Sequence, residues 1–358
     1  MQKSMIILIV VIAVIIVAVA VTLLAVFLTK DNNKYIPNSE VEIINSYDNR
    51  DELIEKFPVH YPTTVKEGIE KKIQNRLLTG FENWNRGFEA WKKWGDILYT
   101  QESIYNVHGA RLSLAHYQDA MNDNLKKVNI QMGDFNSMII VDKYTAIRYD
   151  IKTIVGEREI PGTVTEFVEF KDYGEELGTR VVEGWGGPKD NSYEEMCKFQ
   201  GEEEKTEQQR QTNYMLSYEI PNKPLSEKYM IKYPIVYESE TDKQILNIIL
   251  KGIDEWNNGI ENYISWLNGA YANNAISYDS SNNPRAMENY KNEMRNLANN
   301  YIIKKIYFDH ILIRDYWAGI HYRYTKQERG SEVIDTGDRM QFLQFESTNL
   351  KIINSWIK

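Results

Sequence analysis

Residues 78–94 read LTGFENWNRGFEAWKKW, and residues 250–266 read LKGIDEWNNGIENYISW. Seven of these seventeen positions are identical, at a constant spacing of 172 residues. Self-similarity at a fixed spacing indicates that one structural unit occurs twice in a chain. The identical positions are Leu78, Gly80, Trp84, Asn85, Gly87, Glu89 and Trp94, which recur as Leu250, Gly252, Trp256, Asn257, Gly259, Glu261 and Trp266. The 358-residue chain therefore contains two copies of one domain.

The duplicated stretch predicts two consecutive helices. Leu77, Phe81, Trp84, Phe88 and Trp91 are spaced as the apolar stripe of an amphipathic helix. The Asn-x-Gly in the middle of this stripe is expected to end the first helix, because glycine adopts backbone conformations that other residues avoid. A second, shorter helix then follows in each unit.

Further along each unit the apolar period changes from that of a helix to that of a strand. Ile147, Tyr149 and Ile151 alternate with polar residues, as in a half-buried antiparallel strand. The same reasoning predicts helices over 113–124 and 286–299, and strands over 163–170, 179–185, 338–345 and 350–357. The predicted fold class is α+β, with helices first and an antiparallel sheet after them.

This order, together with the Trp-Asn-x-Gly helix end and the stretch Tyr99 to Ile104, resembles the nuclear-transport-factor-like superfamily. Its SnoaL-like branch of polyketide cyclases and ketosteroid isomerases is the most similar. The resemblance implies two tandem cone-shaped domains, in each of which a strongly curved antiparallel sheet packs on N-terminal helices and often holds a small ligand. The chain departs from the family pattern at Phe88 and Ile260, where the family usually has aspartate.

The N-terminus predicts a membrane anchor. Residues 5–28 are apolar except for Thr22, and a helix of this length crosses a hydrocarbon layer of about 30 Å. A cleaved signal peptide ending at Ala18-Val19-Ala20 is the alternative, although the apolar run continues beyond that site. We expect a single-pass protein of the cell membrane with extracytoplasmic domains, although Lys3 on one side and Lys30 and Lys34 on the other nearly balance.

The predicted organisation has five segments. They are a transmembrane anchor over 1–30, a juxtamembrane linker over 31–55, a first SnoaL-like domain over 56–185, a linker over 186–231 and a second SnoaL-like domain over 232–358. The domain starts rest on the similar segments Lys56-Phe57-Pro58-Val59 and Lys232-Tyr233-Pro234-Ile235.

Composition excludes several classes of function. A net charge of −9 leaves no basic field for nucleic acid. One cysteine, Cys197, cannot form an intramolecular disulfide, and the five histidines lack the spacing of metal ligands. We therefore expect no nucleic-acid partner, no metal and no cofactor.

Candidate site residues come partly from the resemblance. In the isomerase branch a carboxylate base follows the first strand. The resemblance puts this position near Val107 in the first unit and at Asp279 in the second, so only the second unit keeps a carboxylate there. His108 is the other weak catalytic candidate, and both residues also suit an ordinary loop or turn. Aromatic residues are the candidates for lining a ligand pocket: Trp91, Tyr99, Tyr117, Tyr149, Tyr271 and Tyr322.

Two classes of function remain open. Aromatic and glycine positions repeat between the units, whereas the ionisable candidates occur once each, which favours a non-catalytic module that binds a small apolar ligand or a protein partner. The alternatives are a cyclase or isomerase with one active cone, and an assembly factor of a secretion or conjugation apparatus. Self-association through sheet faces is also expected.

Overall fold

The computed structural model describes residues 50–107, 110–125, 129–174, 178–186, 222–233 and 238–358. The predicted anchor, His108 and residues 187–221 of the predicted linker over 186–231 lie outside the described residues. Within the described ranges, no helix combines the length and apolar character needed to cross a membrane.

The first unit places helices on one face of a sheet. Its elements are α1 (Arg50–Lys56), β1 (Val59–Pro62), α2 (Ile69–Asn85), α3 (Phe88–Leu98), β2 (Tyr99–Val107), β3 (Ala110–Ser113), α4 (Leu114–Leu125), β4 (Asn129–Val141), β5 (Tyr144–Val155), β6 (Arg158–Asp172) and β7 (Thr179–Gly186). The predicted helix over 113–124 and the strand over 179–185 are present within one residue, whereas the strand predicted over 163–170 begins five residues earlier, at Arg158.

The second unit repeats this order. Its elements are α5 (Leu225–Lys228), β8 (Met230–Ile231), α6 (Glu240–Asn258), α7 (Ile260–Ala270), β9 (Tyr271–Tyr278), β10 (Pro284–Ala286), α8 (Met287–Asn300), β11 (Tyr301–Arg314), β12 (Trp317–Glu328), β13 (Ile334–Phe345) and β14 (Ile352–Ile357).

The two sheets have the same topology. Their strand orders are β1-β4-β5-β6-β7-β2-β3 and β8-β11-β12-β13-β14-β9-β10. In both, the four meander strands (β4 to β7 and β11 to β14) pair antiparallel with one another. The pairs β1 with β4, β2 with β7, β8 with β11 and β9 with β14 are parallel. The structure therefore confirms the predicted α+β class and two similar units, each with helices against a mainly antiparallel sheet.

The repeated Trp-Asn-x-Gly has a structural role at each position. Gly87 and Gly259 have φ of 110° and 131°, a region that L side chains avoid, and they separate the two helices as predicted. Asn85 bonds both backbone groups of Met132, at 2.7 and 2.9 Å, and Asn257 does the same to Lys305, at 3.0 and 2.8 Å. The asparagine thus fixes the helix end to the start of β4 or β11.

The repeated Gly-Trp pair lets the two helices approach closely. A Cβ atom on Gly80 would lie 2.6 Å from the Trp94 ring, and a Cβ on Gly252 would overlap the Trp266 ring. These positions repeat because no larger residue leaves room for the indole.

The predicted equivalence of the segments that begin at Lys56 and Lys232 is wrong. The counterpart of Phe57 is Tyr229 and not Tyr233, since Val59 pairs with Phe135 where Ile231 pairs with Phe308. The offset of the lead-in is therefore 172 residues, like that of the helices. The two Lys-aromatic-Pro segments are similar in sequence but not equivalent in structure. Tyr233 lies between the units.

The faces of the sheets away from the helices, here called outer faces, pack on each other. The backbones approach closely at Ala146 of β5 and Gly319 of β12, because a Cβ on Gly319 would lie 2.5 Å from that of Ala146. The buried cluster between the sheets consists of Ile139, Val141, Tyr144, Ala146, Phe167, Trp185, Leu312, Trp317, Met340, Phe342 and Trp356. Each sheet is thus buried on both faces.

Polar groups are also buried between the units. His310 stacks on Tyr233 with ring centroids 4.5 Å apart, and burial lowers its pKa well below the ordinary range. Arg314 donates to both carboxylate oxygens of Glu70, at 3.0 and 3.1 Å, and to Glu238 at 3.0 Å. Because Arg314 and Glu70 are both almost fully buried, this ion pair is shielded from solvent.

Gly80→Ala and Gly252→Ala should each lower the free energy of unfolding by about 1–3 kcal/mol, because the added methyl overpacks the indole. Gly269→Ala is the matched control: it is also helical, no atom lies within 4 Å of its Cβ position, and alanine should stabilise the helix by about 0.5–1 kcal/mol. Chemical denaturation measures all three. Equal effects of the three substitutions would contradict the proposed packing role.

Arg314→Met should lower the free energy of unfolding by about 3–5 kcal/mol, because it removes the cation that pairs with the buried Glu70 carboxylate and leaves only backbone N–H donors from Lys66 and Asp142. Lys66→Met removes an exposed partner of Glu238 and should cost about 1 kcal/mol or less. Urea denaturation of both variants tests the difference, and a loss for Arg314→Met as small as for the control would refute it.

Candidate functional site

The first unit contains a cavity of about 330 Å³ between its helices and the inner face of its sheet. Four of the predicted pocket residues line it: Trp91, Tyr99, Tyr117 and Tyr149. Val107, at the position that the resemblance assigned to a base, also lines it. The structure therefore brings together aromatic residues that are up to 58 positions apart in the sequence.

The aromatic rings form an ordered wall. Trp84 and Trp91 meet edge to face with centroids 5.1 Å apart at 77°, and Trp91 meets Tyr117 at 5.7 Å and 76°. Tyr105 stacks on Tyr117 at 4.2 Å. Edge-to-face and stacked pairs at these distances are favourable arrangements of aromatic rings.

Tyr105 fits only because two glycines face it. A Cβ on Gly184 would overlap the Tyr105 ring, and a Cβ on Gly186 would lie 3.0 Å from it. Both glycines belong to β7, which pairs in parallel with the strand that carries Tyr105. The Gly-rich end of the first domain therefore makes room for a cavity residue.

Among the described residues, one carboxyl group lines the cavity. Glu166 lies on β6 in line with Val164, Val168 and Phe170, all of which line the same cavity. The side chains of Tyr105 and Tyr149 line the same cavity. Burial raises the pKa of Glu166, and the nearby Tyr105 and Tyr149 hydroxyls and Lys358 only partly oppose this shift. The carboxyl group therefore exchanges its proton at a higher pH than an exposed glutamate.

Tyr105 and Tyr149, the two tyrosines near Glu166, stay protonated. Burial, followed by the nearby Glu166 carboxylate, raises the pKa of Tyr105 and of Tyr149 well above the ordinary phenol value. Both hydroxyls are therefore available as donors at neutral pH.

The second unit contributes a residue to this cavity. Lys358, which follows β14, lines the cavity and donates from Nζ to the carbonyl of Thr163 on β6. Burial, and after it the nearby Arg148, lowers the pKa of Lys358. Because Lys358 acts on the pKa of Glu166, the electrostatics of the site depend on both units.

The second unit does not repeat this polar group. By strand register, Gln341 stands where the first unit has Glu166, and Ser277 stands where it has Tyr105. Ser355 and Ile357 replace the two glycines. Tyr271 and Tyr322, the predicted pocket residues of this unit, lie in its buried core.

Asp279 lies in a turn and is not among the residues that line the cavity. It accepts hydrogen bonds from the backbone N–H groups of Ser281 and Asn283, at 2.9 and 2.8 Å. Burial opposes ionisation of Asp279, but these bonds outweigh it and lower its pKa. His108, the other catalytic candidate, lies outside the described residues.

Sequence reasoning missed Glu166, although a signal for it exists. Val164, Glu166, Val168 and Phe170 share one side of a strand, so a charged residue interrupts an apolar series. The opposite side carries Thr165 and Phe167, and neither side is clearly polar. Among the described residues, no group of histidine, cysteine and acidic side chains could hold a metal ion.

Glu166→Gln should gain stability relative to the parent chain as the pH rises. Because the folded chain raises the pKa of Glu166, the stability that this group contributes is fully present at low pH and is lost as the pH rises through the folded pKa. Glutamine does not ionise, so the difference in unfolding free energy should grow above about pH 4.3, the usual pKa of glutamate. Denaturant titrations from pH 4 to 8 measure it.

Glu157→Gln, at an exposed turn between β5 and β6, is the control and should show no such growth. A Glu166→Gln difference that stayed constant across this range would mean that the carboxyl group is not destabilised by burial.

No protein-family model matches the chain, and no curated protein matches it. Several solved structures are similar at low identity. A protein classed as a SnoaL-like polyketide cyclase from Jannaschia sp. CCS1 is 11% identical, with 34% of this chain and 90% of that chain covered and a TM-score of 0.31.

Two more show the same likeness. A ketosteroid isomerase-like protein from Erwinia carotovora atroseptica is 9% identical over 33% of this chain and 95% of that chain, with a TM-score of 0.27. A nuclear-transport-factor-2-like protein of unknown function from Burkholderia pseudomallei is 6% identical over 32% and 88%, with a TM-score of 0.28. Over about a third of its length, the chain is similar in fold to SnoaL-like, nuclear-transport-factor-like and ketosteroid isomerase-like proteins.

Proposed function

We propose that the first unit binds a small, mainly apolar ligand in its aromatic cavity and that the second unit supports this site. The observation that carries the proposal is an aromatic cavity in which Glu166 is the one carboxyl group among the described lining residues, while its counterpart in the second unit is Gln341. A volume of about 330 Å³ is at the small end of ligand pockets.

The distribution of polar groups supports ligand binding. Ligand pockets are usually apolar with a few placed polar groups that fix orientation. Here the rings supply the apolar surface, and Glu166 with its tyrosine partners supplies a polar point. A ligand with one polar end and an apolar body would use both.

The location belongs to the same proposal. The apolar stretch over residues 5–28 supports an uncleaved anchor, so the ligand site would lie on the extracytoplasmic side of a cell membrane. The proposal also includes binding to a partner protein and association of the chain with further copies of itself. The outer faces of the two sheets already contact each other within one chain, so association between chains would use other surfaces.

Proton transfer is the second candidate function. A carboxyl group whose pKa is raised by an apolar site is suited to general acid–base catalysis near neutral pH. Under this alternative, Glu166→Gln would remove turnover of a bound substrate while binding survived. If the first unit only binds its ligand, as proposed, the ligand is released without chemical change.

Filling the cavity tests the proposal. In Val164→Trp the indole should occupy the cavity and weaken binding of 1-naphthol, an apolar probe with one hydroxyl, by at least about tenfold. Val333→Trp adds the same side chain at a position that is 67% exposed and should leave binding unchanged. Naphthol fluorescence on titration with the full chain gives both affinities.

Two results would contradict the proposal. One is the absence of saturable naphthol binding to the parent chain. The other is an affinity for naphthol that Val164→Trp and Val333→Trp change equally, because the probe would then bind outside the cavity.

A further inference from the structure

The second unit contains the same aromatic arrangement with a cation inside it. Trp256 and Tyr263 meet with centroids 4.9 Å apart at 82°, close to the 5.1 Å and 77° of Trp84 and Trp91. The Lys305 ammonium lies 4.3 Å from the ring centroid of Trp256, 5.2 Å from that of Tyr263 and 5.4 Å from that of Tyr322. These distances are those of cation–π contacts.

Lys305 stands where the first unit has Met132. Asn257 bonds the backbone of Lys305 as Asn85 bonds that of Met132, so the two residues start from the same place. The three rings around Lys305 correspond to Trp84, Trp91 and Tyr149, which all line the cavity of the first unit. The second unit therefore sets an amine against these rings where the first unit has the uncharged Met132, which lines the cavity.

In the described part of the chain, the rings are the only groups that stabilise the positive charge of Lys305. No carboxylate there forms an ion pair with it, and Arg339 is close enough to repel it. Burial, followed by Arg339, lowers the pKa of Lys305 to about 7. The negative faces of three rings favour the ammonium form and oppose this shift.

The first unit has aromatic rings at the equivalent positions, and a carboxyl group lines the same cavity. Across the described residues, no cation lies over Trp84 or Trp91, while Glu166 faces the cavity that these rings line. Resting on the proposed function, we propose that the ligand of the first unit is an organic cation, an amine with an apolar body, whose ammonium packs against the rings equivalent to those around Lys305.

Two cations, Arg76 and Lys358, also line the cavity. A guanidinium nitrogen of Arg76 lies 3.1 Å from the Cβ position of Gly178, at the turn before β7, and Lys358 bonds the Thr163 carbonyl. The ammonium of a ligand would approach Glu166 from the ring side. Its charge would favour the carboxylate form and lower the pKa of Glu166 on binding.

Three probes of similar size separate the ligand classes. Benzyltrimethylammonium, benzyl alcohol and benzenesulfonate are titrated into the full chain by calorimetry. The cation should bind at least about tenfold more tightly than the alcohol, and the sulfonate should bind most weakly. Glu166→Gln should reduce cation affinity about tenfold and change alcohol affinity less than twofold.

A second variant tests the equivalence of the two ring sets. Lys305→Met, which introduces the residue of the first unit, should open a second, weaker cation site and raise the stoichiometry from one to two per chain. Lys304→Met, the exposed neighbour on the same strand, should leave it at one. A stoichiometry of one in both variants would refute the equivalence.

The outcomes distinguish this inference from the proposed function. If the alcohol bound as tightly as the cation and Glu166→Gln left this ratio unchanged, the ligand class would be wrong while the binding cavity remained supported. If neither probe bound and naphthol also failed to bind, both proposals would fail.

Discussion

Burial of each sheet on both faces is the constraint on which the rest of the structure depends. Helices cover one face, and the other sheet covers the opposite face around Ala146 and Gly319. Only residues without side-chain bulk allow the strands to approach this closely, and the apolar cluster around them replaces solvent. The position of Lys358 in the cavity of the first unit follows from this packing, since Lys358 extends from a strand of the second sheet.

Much of the fold could be predicted from the sequence because local signals were strong. The Trp-Asn-x-Gly helix end combined a helical stripe with a glycine of positive φ, and both sit where expected. The long strands β4 and β11 were not predicted. They are buried on both faces over part of their length, so the alternation that identifies a half-exposed strand is absent.

The candidate site could be predicted only in part. Aromatic residues repeat at core spacing, so Trp91, Tyr99, Tyr117 and Tyr149 could be named before their positions were known. Glu166 and Lys358 could not, because one depends on which side of a strand faces inward and the other on how two units pack. Lys305 had no signal in the sequence, since a lysine on a strand is usually exposed.

The covalent link between the units has a consequence for symmetry. Two identical subunits that packed through this interface would have to carry the same residue at every equivalent position. In a tandem chain each copy has its own codons, so one can keep Glu166, Tyr105 and two facing glycines while the other has Gln341, Ser277 and bulkier residues. The linkage also keeps both copies at a high effective concentration, so assembly does not depend on expression level. The chain is a pseudo-dimer in which one half is free to specialise.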